Sequence, residues 1–239
     1  MKPVQVFLIA AALLATAHAD INPPAEKSFS APVTLQVGYP YLEYLPQGYD
    51  ATSDKKWPLI MFLHGAGERG NNLNQIKKHG PPKELANGRK VDAVVICPQC
   101  PTEQLWSSHG VHALTQEIIR THAIDQQRVY LTGLSMGGFG TWETAIDYPN
   151  TYAALVPICG GTGVRFLLSS RIKHIPQWIF HGAKDPVVDP KFSEKMHDLL
   201  KKQGADVRLT IYPEAQHDSW TAAYGNNELW SWLFAQKRQ

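Results

Sequence analysis

Residues Val129-Tyr130-Leu131-Thr132 run straight into Gly133-Leu134-Ser135-Met136-Gly137 and then into a helical pattern, so the chain must turn from strand to helix around one serine. A turn that sharp strains the serine backbone, and side chains two residues to either side would collide. Glycine at 133 and 137 removes those collisions. The Ser135 hydroxyl is thereby lifted out of the sheet, beside a helix N-terminus where negative charge is favoured. The pattern alone is weak, because 18 glycines in 239 residues also make inert turns. The rest of the chain decides its weight.

Strand-like and helix-like segments alternate along the sequence. Residues 33–37 and 41–45 read as two antiparallel strands, and 59–63, 93–97, 129–132, 154–159, 178–180 and 208–212 as parallel ones. Helical spacing recurs over 111–122, 136–147, 190–203 and 227–236, with a short helix around 165–170. This alternation predicts an α/β fold: a mostly parallel, eight-stranded sheet with helices on both faces. Only a short connection joins 159 to 178, which predicts no large lid.

A serine nucleophile needs a base to take its proton and an acid to orient that base. Asp185 follows the apolar run Gln177-Trp178-Ile179-Phe180, and His217 follows Val207-Arg208-Leu209-Thr210-Ile211, so each falls just past the carboxyl end of a predicted strand. That edge of a parallel sheet is where ligands and reacting groups gather. Asp189, four residues on, is an alternative acid. An oxyanion also needs two aimed N–H groups. Met136 supplies one, and Ala66 the other, within His64-Gly65-Ala66-Gly67 after the run Leu59-Ile60-Met61-Phe62-Leu63. His64 and His181 read as structural histidines beneath the site.

The stretches Leu63-His64-Gly65-Ala66-Gly67-Glu68-Arg69-Gly70, Cys97-Pro98-Gln99-Cys100-Pro101, Arg128 through Trp142, Pro157-Ile158-Cys159-Gly160-Gly161 and His181-Gly182-Ala183-Lys184-Asp185 together carry a resemblance. The chain resembles the α/β-hydrolase superfamily, in particular a secreted esterase and predicted-peptidase group related to the phospholipase/carboxylesterase and dienelactone-hydrolase families. The resemblance implies Ser135 as nucleophile, Asp185 as acid, His217 as base, and Ala66 and Met136 as oxyanion donors. It implies hydrolysis of carboxylic esters through an acyl-enzyme with no cofactor, on a small-molecule or polymer-attached substrate. A peptidase acting on short peptides is the rival activity, and a binding module on a hydrolase scaffold the non-enzymatic alternative.

Around such a site, Glu68, Trp106, Trp142 and Trp220 are candidates for substrate contact. The tryptophans fit an aromatic platform for a sugar or phenolic ring, or equally core packing. No paired His/Cys spacing of a metal motif occurs, which predicts no metal. Three cysteines leave at least one unpaired within the chain. The strand order that the resemblance implies puts two strands between the strand ends at Cys97 and Cys159, about 14 Å at ~4.8 Å per strand, too far for a bridge. Pairing of Cys100 with Cys159 stays open.

Residues 1–19 read as an export signal: Lys2, an apolar run over 4–15, and Ala17-His18-Ala19 as the cleavage site. The run is short for a bilayer span, which predicts a soluble secreted or periplasmic protein without stable membrane association. A polar lead over 20–31 then precedes a single domain over 32–239. The formal net charge of +2 is scattered, which gives no reason to expect a nucleic-acid partner.

Overall fold

The computed structural model describes residues 25–238; the expected export signal at 1–19 lies outside the described residues. Residues 25–40 form neither helix nor strand. Seven strands follow among the described residues: β1 (Tyr41–Tyr44), β2 (Trp57–Leu63), β3 (Val94–Pro98), β4 (Ile124–Leu134), β5 (Ala154–Ile158), β6 (Gln177–Gly182) and β7 (Val207–Tyr212). They lie in the order β1-β3-β2-β4-β5-β6-β7. Only β1 runs antiparallel, paired with β3 from Tyr41 opposite Pro98 to Tyr44 opposite Val95.

The eight-stranded expectation is corrected to seven. Residues 33–37 alternate apolar and polar, yet Val33 and Leu35 are 90% and 56% exposed and no ladder pairs this segment. Alternation makes a strand only where one face is buried, and here neither is.

Among the described residues six α-helices cover the sheet: α1 (Gly80–Ala86), α2 (Ser108–Thr121), α3 (Met136–Asp147), α4 (Lys191–Lys202), α5 (Trp220–Gly225) and α6 (Asn227–Ala235). Successive residues of a strand point to opposite faces, and in β2 both faces are buried, which explains its unbroken apolar run. Leu59, Met61 and Leu63 pack with Val111 and Ile118 of α2, Trp142 and Ile146 of α3, and Met196 and Leu200 of α4. Ile60 and Phe62 join Tyr224 of α5 and Leu229, Trp230 and Leu233 of α6 on the other face. Each such fully buried side chain stabilises the fold by about 1.5–3 kcal/mol. The core therefore holds the sheet rigid from both sides.

Helices α1 and α5 are absent from the sequence reading. Their six or seven residues are too few for a visible period, and the first turn of α1 holds Pro81-Pro82, which reads as a loop although proline suits a first helical turn. Between β5 and β6 the chain makes only the 3-10 segment Gly163–Ile172, so this connection forms no large lid over the sheet edge. No described helix is long and apolar enough to cross a membrane.

Candidate active site

The chain reverses its winding direction at β4, which has β2 on one side and β5 on the other. The carboxyl edge next to such a strand is open to a ligand. Ser135 follows β4 directly, with φ 53° and ψ −118°, in a region that non-glycine residues rarely occupy. A Cβ at Gly137 would overlap the Leu63 carbonyl oxygen, and one at Gly133 the Gly137 carbonyl. The flanking glycines are thus a steric requirement of packing α3 against β2 and β4. The Ser135 N–H donates to the Ile158 carbonyl at 2.9 Å, and its own carbonyl accepts from Phe139 at 3.1 Å.

Two loops converge on this serine. His217, after β7, has Nε2 2.9 Å from Ser135 Oγ, and its Nδ1 is 2.7 Å from Asp185 Oδ2, after β6. The Asp185 carboxylate accepts only, so Nδ1–H donates to it, and Nε2 is left free to accept the serine O–H. Asp185 Oδ1 accepts the Val187 and Val188 N–H groups at 2.8 and 3.0 Å. Burial raises the carboxyl, but the bonds from His217 and from those two amides outweigh it and hold Asp185 below its ordinary value. Asp189 is exposed and accepts the Lys191 N–H instead, so it plays no part in this chain of bonds.

His181 is fully buried under the dyad. Its Nε2 faces both Asp185 Oδ2, at 3.1 Å, and the Val188 carbonyl, at 2.9 Å; two acceptors require an N–H there, so Nδ1 accepts from Ser193 Oγ–H at 2.7 Å. Burial lowers its basicity more than Val188 and Asp185 raise it, which agrees with a neutral ring. Asp185 is thereby clamped by four donors.

The turn after β2 is built around His64 and Glu68. His64 Nδ1 lies 2.6 Å from the Gly65 carbonyl, and Nε2 accepts the Cys100 N–H at 3.0 Å, which assigns the proton to Nδ1. Trp106 Nε1–H donates to the His64 carbonyl at 3.1 Å. The Gly65 N–H is used by Glu68 Oε2 at 3.0 Å, while Ala66 is exposed at the tip of the turn. Met136 opens α3, whose first N–H groups have no intrahelical acceptor. Both expected oxyanion donors therefore belong to elements that flank Ser135.

Burial pushes the His64 imidazole down to about 4, helped by the Arg69 charge and opposed by the Gly65 carbonyl. An unfolded chain takes up this proton near the ordinary 6.5, so between those values the unfolded state holds more protons and stability falls as pH falls. His64 is expected to remove about 3 kcal/mol of stability between pH 7 and pH 4. Urea unfolding of the wild type and a His64→Gln variant measures this, the variant losing less over the window by that amount; parallel pH dependences would defeat the assignment.

The four expected substrate contacts divide. Trp106 lines a pocket of about 370 Å³ together with Ala66, Arg69, Leu105, Met136, Phe139, Gly140 and Glu143. Trp142 does not: it is fully buried and donates to Gln177 Oε1 at 2.9 Å, beneath the sheet surface. Glu68 is likewise turned inward at 7% exposure, because its carboxylate holds the Gly65 amide. Neither side chain lies on the lining of that pocket. Trp220 stands edge-on to the His217 ring, 5.3 Å between centroids, and donates to His79 Nδ1 at 3.2 Å; His79 Nε2 in turn faces Glu68 Oε1 at 3.8 Å. Glu68, His79 and Trp220 thus link the turn after β2 to the imidazole.

The sequence reading missed His79, Leu105, Phe139 and Glu143. The last two had a signal: Met136, Phe139, Gly140 and Glu143 follow helical spacing on one face of α3. Cys159, read only as a disulfide candidate, follows β5 with φ 41° and has Sγ within 4.8 Å of facing atoms of Asp185 and His217. Burial pushes its thiol up to about 12, so it is protonated at neutral pH and adds no charge beside the dyad. All three cysteines are free and buried, which closes the open question of pairing.

A doubly covered parallel sheet with a serine on a strained strand-to-helix turn, and a histidine and an aspartate past the last two strands, defines the α/β-hydrolase fold. The family described as phospholipase/carboxylesterase matches residues 105–225, and the chain belongs to it. It is similar to a thermostable esterase of known structure, at 32% identity and TM-score 0.72 over 83% of this chain and 59% of that one. It is also similar to a bifunctional acetylxylan esterase/xylanase of Neocallimastix patriciarum, 30% identical over 55% of this chain and 20% of the other. A poly(3-hydroxyoctanoate) depolymerase of Pseudomonas fluorescens is 27% identical over 73% of each chain. This chain thus spans a fifth of the acetylxylan esterase/xylanase and less than two thirds of the thermostable esterase.

Proposed function

We propose that this protein is an exported serine hydrolase that cleaves carboxylic esters through an acyl-enzyme. The observation that carries the reading is the unbroken line of hydrogen bonds from Ser135 Oγ through His217 to Asp185, at 2.9 and 2.7 Å, at an open sheet edge. Ser135 Oγ attacks the ester carbonyl as its proton passes to His217 Nε2. The carbonyl oxygen, now negative, is received by the Ala66 and Met136 N–H groups. Collapse of this adduct breaks the bond to the alcohol oxygen, which takes the proton from His217 as it leaves. Water then gives a proton to Nε2 and attacks the acyl carbon; the acid departs and Ser135 recovers its proton. Asp185 keeps the imidazole in the tautomer this requires and stabilises its charged form, without itself being protonated.

No step needs a cofactor or metal. The esterase names among the relatives support ester over amide substrates, and so does chemistry, because an alkoxide leaves more readily than an amine. Export rests on the signal pattern at 1–19. Steady-state kinetics on matched ester and amide substrates, with mass spectrometry of a fluorophosphonate-treated sample, test the reading. The expected result is a single adduct on Ser135 and a far higher kcat/KM for the ester. A folded protein that neither reacts nor turns over esters would sink it, and preference for the amide would transfer it to the peptidases.

A further inference from the structure

We propose that the pocket beside the oxyanion turn binds an apolar acyl arm carrying a hydroxyl at its far end, and that Glu143 accepts the hydrogen bond from that hydroxyl. The inference rests on the esterase reading and adds its substrate class. The pocket has Ala66 and Met136 on its lining but neither His217 nor Asp185. The leaving oxygen must lie at His217 to collect a proton, so the pocket, on the other side of the carbonyl, receives the acyl part.

Its walls fix what that part is. Leu105, Trp106, Met136 and Phe139 supply apolar surface, which favours an extended hydrocarbon or aromatic arm. Glu143 lines the same pocket seven residues along α3 from Met136, about 10 Å at the helical rise. Its carboxylate is partly buried and has no hydrogen-bond or ion-pair partner among the described residues; nearby Arg165 pairs with Asp147 instead. Burial holds the Glu143 carboxyl above its ordinary value, with Arg165 opposing and Asp147 reinforcing the shift. A partly desolvated acceptor on the wall of a mostly apolar slot is costly until a donor reaches it. Arg69, also on the lining, makes the slot unfavourable for a cationic arm, so the donor is a neutral hydroxyl. A straight chain of about eight bonds spans the distance at ~1.2 Å per bond.

The test compares p-nitrophenyl esters of ω-hydroxyoctanoate, its methyl isostere nonanoate and ω-aminooctanoate in wild type, E143Q and E143L. The expected result is that the hydroxy/methyl ratio of kcat/KM falls about ten- to a hundredfold in E143L and by less in E143Q, whose amide oxygen still accepts. Because each ratio is taken within one protein, loss of folded enzyme cancels. An unchanged ratio with turnover intact overturns the subsite alone. A Glu143-dependent preference for the amino ester over the hydroxy ester overturns the neutral donor. Absence of turnover of all three esters by the wild type overturns the esterase reading, and the subsite with it.

Discussion

Ser135→Ala is expected to lower kcat on a p-nitrophenyl ester by about 10⁴–10⁶, and to abolish labelling by a fluorophosphonate. The change removes one oxygen. Alanine meets the same steric limits at φ 53° as serine, so backbone strain at the turn is unaltered, and the glycines that permit the turn are untouched. Buried strands β2 and β4 hold the loop from below, so folding provides no other route to inactivity. What survives is the rate that binding and the oxyanion amides supply without a nucleophile. A folded variant with more than ~1% of wild-type turnover is incompatible with a covalent role for this hydroxyl.

Asp185→Asn is expected to cost about 10⁴ in kcat while leaving the fold in place. The local bonds say why. Oδ1 accepts two backbone N–H groups, so an asparagine keeps its oxygen there and turns its NH₂ toward His217 Nδ1 and His181 Nε2. Nδ1–H then faces a donor. The imidazole relieves the conflict by moving its proton to Nε2, the tautomer that cannot accept from Ser135. Nitrogen-15 chemical shifts of His217 read the tautomer directly, beside kcat and unfolding measurements. An unchanged Nδ1–H tautomer with full activity would sink the role given to Asp185.

Much of the architecture was legible because it is written in short-range sterics. The glycines at 133 and 137 announce a serine that must leave the sheet, and the unbroken apolar run of β2 announces a strand buried on both faces. Residues 33–37 misled for the same reason: they alternate correctly, but an alternating segment needs a partner surface, which local sequence cannot report. Helices α1 and α5 are too short to show a period.

Residue types and their order along the chain determined the strand-to-helix turn, the parallel sheet and the candidate order of serine, aspartate and histidine, since each depends on neighbours a few residues apart. Only the tertiary structure chose between Asp185 and Asp189, turned Glu68 and Trp142 inward, and put Phe139 and Glu143 on the lining of the pocket. Those outcomes are set by which loops and helix faces meet when β2, β4, β5, β6 and β7 pair side by side. That depends on burial summed over the whole core, which no local stretch of the chain contains.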